Sequence, residues 1–188
     1  AGANYDESRV PDYTLPDPLR AEDGSRITSA EQWRESRRPE ILRLFEDLMY
    51  GKTPDGIPEG MRWEVVESGD DALGVNARRK HILIFFNGNA DGPRMDLLLY
   101  TPTDVAGPVP TFLGLNFKGN HTVFPDPAIL LPEGADETTR GERRGRWPID
   151  VIVGNGYGVA TAYYFDIDAV GPHVLHVGVH PLPDEWGS

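Results

Sequence analysis

Val109-Pro110-Thr111-Phe112-Leu113-Gly114-Leu115-Asn116-Phe117 decides the fold, because it is almost unbroken in apolar character. A strand with that pattern is expected to be buried on both faces, as in a parallel sheet, whereas a half-buried antiparallel strand alternates. It runs straight into the polar turn Lys118-Gly119-Asn120-His121. Further on, Ile149 to Asn155 reads as a short helix, and Gly158 to Phe165 as a second buried strand closed by Asp166-Ile167-Asp168. Strand, loop, helix and strand in that order open an α/β sheet. The proline-rich segment from Pro125 to Arg146 is too irregular for a core element and predicts an excursion.

Upstream, the period is two. Met61 to Glu67, Leu73 to Ala77, His81 to Phe86 and Met95 to Tyr100 are short branched or aromatic runs separated by Gly, Asp and Asn turns, which predicts an antiparallel meander. Before it, Ser29 followed by Gln32 is a capping-box pattern that starts a helix near Ala30. Pro39 should interrupt or restart that helix. Ile41, Leu42, Phe45, Leu48 and Met49 then define one apolar face, and Gly51 is placed to stop it. Residues 1–28 carry Pro11, Pro16 and Pro18 and read as an extended arm. The expected layout is thus an arm (1–28), a helix (29–51) and the start of a central sheet (61–188), all within one domain. Two interior strands with bare flanks do not complete such a sheet, so the chain reads as the first half of a domain.

With 188 residues, 18 Lys plus Arg and 30 Asp plus Glu, the net charge is −12. No basic footprint for nucleic acid is present. Gly and Pro number 21 and 17, about a fifth of the chain against roughly 12% in average proteins, which excludes a long helical bundle. Cysteine is absent, which removes disulfides, thiol nucleophiles and cysteine-ligated metals. No run approaches the ~18 apolar residues of a membrane span.

Three motifs invite a chemical reading. Gly154-Asn155-Gly156-Tyr157-Gly158 resembles a phosphate-binding loop, but there the strand precedes and the helix follows; here the order is reversed, so the expectation is a helix-to-strand turn. His173, His176 and His180, with Asp166 and Asp168 upstream, have zinc-like spacing, yet Gly171, Pro172, Gly178 and Pro181 deny them a helix; a loop cluster is expected and no metal or other cofactor. Among the serines, Ser8, Ser25, Ser29, Ser36, Ser68 and Ser188, none sits on a nucleophile elbow. That leaves Lys118, Gly119, Asn120 and His121. Open α/β sheets bind ligands at the carboxyl ends of their strands, and glycine lets backbone amides approach closely, so this loop is either a structural turn or part of an oxyanion or substrate-cleft wall.

Several unbroken stretches then fix a resemblance. Ser29 to Trp33, Arg38 to Ile41, Met95 to Tyr100, Phe112 to Phe117, Gly119 to Thr122, Arg146-Trp147-Pro148, Gly156 to Tyr164 and Gly178 to Leu182 resemble, in that order, the N-terminal half of bacterial glucuronoyl esterases. The resemblance implies an exported, secreted or periplasmic α/β-hydrolase, a three-layer sandwich that cleaves esters between the glucuronic acid side groups of xylan and lignin alcohols. It implies a Ser, His and acid triad lying beyond Ser188, an arginine beside the nucleophile, and partners limited to the polysaccharide or lignin-carbohydrate ester and the remaining half of the domain, without nucleic acid or membrane. Asp184 to Gly187 resembles the family's lead into the helix before the nucleophile strand. Phe165 and Gly171 to Val177 depart from the pattern and bear on substrate preference. Two other classes stay open: a non-catalytic sugar binder using Trp33, Trp63, Trp147 or Trp186, and a metal hydrolase on the histidine cluster.

Overall fold

The structure, a computed structural model, describes residues 3–52, 56–74, 76–168 and 179. The chain forms two compact units, Ala1–Asp55 and Gly56–Ser188.

In the first unit the helix starts where the sequence places it. The Ser29 hydroxyl accepts the Gln32 backbone N–H at 3.1 Å, and the Gln32 side chain reaches back to the Thr28 backbone N–H at 2.8 Å, one residue earlier than in a strict capping box. Pro39 stands where the helix restarts, as expected. Ala30–Gln32 (α1) passes through a π turn at Trp33–Arg37 into Arg38–Phe45 (α2), and the wider turn places Pro39 in the opening turn of α2, where its missing N–H costs nothing. A second π turn, Glu46–Tyr50, ends at Gly51 with φ 74°. The Arg37 guanidinium, buried, pairs with Glu40 and donates to the Pro18 carbonyl, tying arm to helix. Among its described residues the arm holds the 3-10 turn Glu7–Arg9, an Arg20–Arg26 bridge and short turns, without a longer helix or strand. The face expected to pack is largely open: Leu42, Phe45, Leu48 and Met49 are exposed.

Among the described residues the second unit is built on a sheet of five strands, β1 to β5 in chain order and β1-β2-β3-β5-β4 across the sheet. Arg62–Ala72 (β1), Ala77–Phe85 (β2) and Arg94–Pro102 (β3) form the antiparallel meander. Leu73 belongs to the hairpin and not to a strand of its own: it and Gly74 stand at φ 65° and 66° as the chain reverses. Thr111–Asn116 (β4) lies at the far edge, and Gly158–Tyr163 (β5), reached through Ile149–Gly154 (α3), inserts between β3 and β4, antiparallel to one and parallel to the other. Gly154 to Gly158 is the expected helix-to-strand turn.

Register separates the faces. Leu98 and Tyr100 pair with Thr161 and Val159, and all four are buried beneath Val123, Phe124, Ile129, Ile149 and Val153. Against the expectation from its irregularity, the Pro125 to Arg146 segment is not wholly outside the core: Ile129 is fully buried in it, while short 3-10 turns at Glu137–Thr139 and Arg144–Arg146 bond part of its backbone. On the other face Trp63, Val65, Leu113 and Leu115 are exposed. β5 is buried throughout except Tyr163, as expected, but β4 is not: Phe112, Leu113 and Leu115 are exposed, as is Phe117 just beyond it, and among the described residues β4 pairs only with β5, its outer edge having no neighbour.

Candidate functional site

Because β4 and β5 are parallel, Asn116 and Tyr163 stand side by side and the loops after them leave the sheet together. The amino end of β3, bearing Arg94 and Asp96, lies at the same edge. These elements and the segment 130–135 enclose a cavity of about 610 Å³ lined by Lys118, Gly119, Asn120, His121, Tyr163 and Asp166 among others. That volume is ordinary for a small-ligand cleft.

All four loop residues singled out from the sequence reach the cavity, in different capacities. Asn116 locks the turn: its amide nitrogen donates to Asn120 Oδ1 (2.7 Å) and to the Thr161 hydroxyl (3.1 Å), while its Oδ1 accepts the Gly119 N–H (2.8 Å). Asn120 in turn donates from Nδ2 to the Asp96 carbonyl at 2.8 Å, so its side chain is spent on bracing β3 against the loop. Gly119 sits at φ 92° and ψ 152°, outside the space open to L side chains, and a Cβ there would meet the His121 ring at 3.0 Å. Lys118 is exposed and has no ion-pair partner among the described residues. The backbone N–H groups of Asn120 and His121 likewise have no protein acceptor among the described residues.

His121 is buried, and its tautomer follows from its neighbour. The Thr139 hydroxyl has one proton and gives it to the Asp136 carbonyl (2.6 Å), so toward His121 Nε2, at 3.0 Å, it accepts. Nε2 therefore carries the hydrogen, and Nδ1 is a buried lone pair without a partner. Burial first, then the charge of Arg140, hold the imidazole pKa below its ordinary value and keep the ring neutral.

Sequence reading named Asp166 as a candidate only beside the histidine cluster and missed Asp96 and the second histidine, His81. Asp166 Oδ2 accepts the Asp96 backbone N–H at 3.2 Å, and burial followed by the nearby Asp96 charge raises the Asp166 pKa. His81, fully buried in β2, accepts the Leu130 N–H on Nε2 (3.2 Å), so its proton is on Nδ1, 3.2 Å from Asp96 Oδ1; it holds the 130–135 wall to the sheet. Behind that wall Arg79 pairs with Glu67 and Asp126, and the Tyr100 hydroxyl donates to Asp126. The signal was present: in β2, Ala77, Arg79, His81 and Phe85 share the inward parity. His173, His176 and His180 lie outside the described residues, as does Trp186; no cluster suited to a metal occurs among the described ones. Trp147 packs against Gly114, where a Cβ would stand 3.1 Å away.

A meander leading into a parallel pair, joined by a helix and carrying a glycine-kinked loop at the carboxyl edge, is the opening of an α/β-hydrolase sheet. Comparison with known proteins agrees. The chain is 48% identical over 181 residues to a protein described as carbohydrate esterase MZ0003, from an unknown prokaryotic organism. Its fold superimposes on a glucuronoyl esterase from Solibacter usitatus with a TM-score of 0.86 and 41% identity, covering 94% of this chain and 47% of that one. A promiscuous CE15 esterase from a marine bacterial metagenome gives a TM-score of 0.78 at 47% identity, with 89% and 45% covered. No family model matches. The resemblance read from the sequence is thus shown: the chain corresponds to the N-terminal half of the α/β-hydrolase fold of the CE15 glucuronoyl esterases. It spans less than half the length of these relatives, 41% of the curated one.

Proposed function

We propose that this chain supplies the first half of a serine-type carbohydrate esterase, exported to the periplasm or beyond, that hydrolyses glucuronate esters joining xylan side groups to lignin alcohols. The observation that carries the reading is the match in sequence and fold to glucuronoyl esterases over 94% of the chain. The exposed edge of β4 and the bare face of Trp63, Val65, Leu113 and Leu115 fit a sheet continued by further polypeptide, which would bear the Ser, His and acid. Serine attacks the uronate ester carbonyl, histidine carries its proton to the leaving alcohol, and the acid orients the histidine. The role of the present residues is to wall the cleft: Lys118 to His121 line it, and the N–H groups of Asn120 and His121, without a protein acceptor among the described residues, are suited to a developing oxyanion.

The test is hydrolysis of benzyl glucuronate by the enzyme that carries this segment. Asn120→Ala and His121→Ala should each lower kcat/KM by about ten- to a hundredfold, the usual effect of displacing a positioned donor by a fraction of an ångström to one ångström. Unchanged kcat/KM in both rejects the role of the loop, and absence of turnover by the intact enzyme rejects the activity.

A further inference from the structure

Strands β3, β4 and β5 are tied to the loop by a chain of carboxamides. Thr161 in β5, Asn116 at the end of β4 and Asn120 in the loop are all buried. The Gly119 N–H at Asn116 Oδ1 (2.8 Å) fixes which way that amide faces, so its two hydrogens go to Asn120 Oδ1 (2.7 Å) and to the Thr161 hydroxyl oxygen (3.1 Å). The Asn120 amide then donates to the Asp96 carbonyl of β3 (2.8 Å). Gly119 is held at its other end too, because its carbonyl accepts both the hydroxyl (2.8 Å) and the N–H (3.1 Å) of Thr122. The peptide that opens the 3-10 turn Asn120–Thr122 is therefore clamped on both sides.

Stability alone does not call for polar groups at 116 and 161, since replacing both partners of a buried hydrogen bond by apolar groups of the same shape can be nearly neutral. Apolar side chains there would leave the loop free to settle elsewhere. A buried network with its members satisfied instead specifies one arrangement. Neither Asn116 nor Thr161 lines the cavity, so neither is placed to touch a substrate in it. We infer that Asn116 and Thr161 are positioning residues for the esterase reaction, setting the backbone N–H groups of Asn120 and His121 where the ester oxygen gathers charge. The inference rests on the proposed function for the reaction itself, and goes beyond it in assigning control of the cleft to two buried side chains outside the loop. Its consequence is a split between rate and binding. Interactions made only as the oxyanion develops lower kcat when they are displaced and leave KM nearly in place.

The experiment is steady-state hydrolysis of benzyl glucuronate by the enzyme that carries this segment, with a thermal melt of each variant alongside. Thr161→Val removes the hydroxyl that Asn116 donates to with little change of shape, and should lower kcat about tenfold with KM within about twofold of wild type. Thr161→Ser returns a hydroxyl and should recover most of that loss. Asn116→Ala removes all three bonds and should lower kcat further, by up to about a hundredfold. Adding Thr161→Val to Asn116→Ala should lower kcat no more, because the bond between them is already gone. Should Asn116→Ala fail to fold, the Thr161 pair of variants decides by itself. Unchanged kcat in Thr161→Val, even with a lowered melting temperature, overturns the inference, as do a raised KM at retained kcat, equal losses in Thr161→Val and Thr161→Ser, or additive losses in the double variant. Activity that falls in Asn120→Ala and His121→Ala but holds in Thr161→Val rejects the inference and keeps the proposed function. A wild-type enzyme that leaves the ester intact rejects both.

Discussion

Replacing Arg79 with Met tests whether the cavity wall is held by charge. The Arg79 side chain is 6% exposed, and its guanidinium donates from Nε (3.0 Å) and Nη2 (2.6 Å) to Glu67 and from Nη1 (2.6 Å) to Asp126. Methionine fills much of the same volume, so the loss is electrostatic and not a cavity. Glu67, at 25% side-chain exposure, regains water, whereas Asp126, at 11%, is left with the Tyr100 hydroxyl alone as a side-chain donor. Breaking a buried pair by removing one partner costs about 3–5 kcal/mol; with one of the two acids partly hydrated, the lower end applies, about 3 kcal/mol. Urea denaturation followed by tryptophan fluorescence should show the midpoint falling at unchanged slope. Asp126→Asn on the Arg79→Met background should recover part of the loss, since the stranded charge is then gone. A loss below about 1 kcal/mol, or no recovery in the double variant, would show the network to be as weak as a surface pair. The neighbouring Arg78–Asp70 pair, 44% and 65% exposed, is the internal control, and Arg78→Met should cost far less.

Two further predictions concern the site. Asp166 has its pKa raised, so the folded state holds a proton that the unfolded state has released; stability therefore falls as pH rises from the ordinary carboxylate range near ~3.9 through the raised folded value, then levels off. Asp166→Asn should accordingly gain on the wild type across that window in urea midpoints measured from about pH 3 to pH 7, and a difference independent of pH would refute the assignment. Gly119→Ala combines a forbidden φ with a Cβ 3.0 Å from the His121 ring, and should cost about 1–3 kcal/mol. Gly134→Ala, at φ 77° with nothing within 4 Å, carries the backbone strain alone. Equal thermal-melt losses for the two would mean that the His121 contact exerts no pressure.

The strands, the helix start at Ser29 and the turn at Gly154 to Gly158 were legible because each depends on neighbours a few residues apart. Pro39 likewise marked the restart at α2 after the π turn at Trp33–Arg37. Leu73 misled for the same reason: a leucine predicts strand unless the hairpin needs a positive φ there. Lys118 to His121 could be singled out by position after an apolar strand, but not the different duties of the four, which depend on Asp96 and Thr139, 24 and 18 residues away from their partners.

What the sequence determined by itself is the order of the elements and the family they resemble, since apolar period and runs of matched residues are properties of the chain read in one dimension. Only the tertiary structure decided that Asp166 lies against Asp96 across 70 residues, that Asp126 neutralises Arg79 across 47, and that His121 has one nitrogen satisfied and one bare. Charged and polar side chains have no period that announces a partner. Their protonation, burial and pairing are set by whichever distant backbone the fold brings within three ångströms.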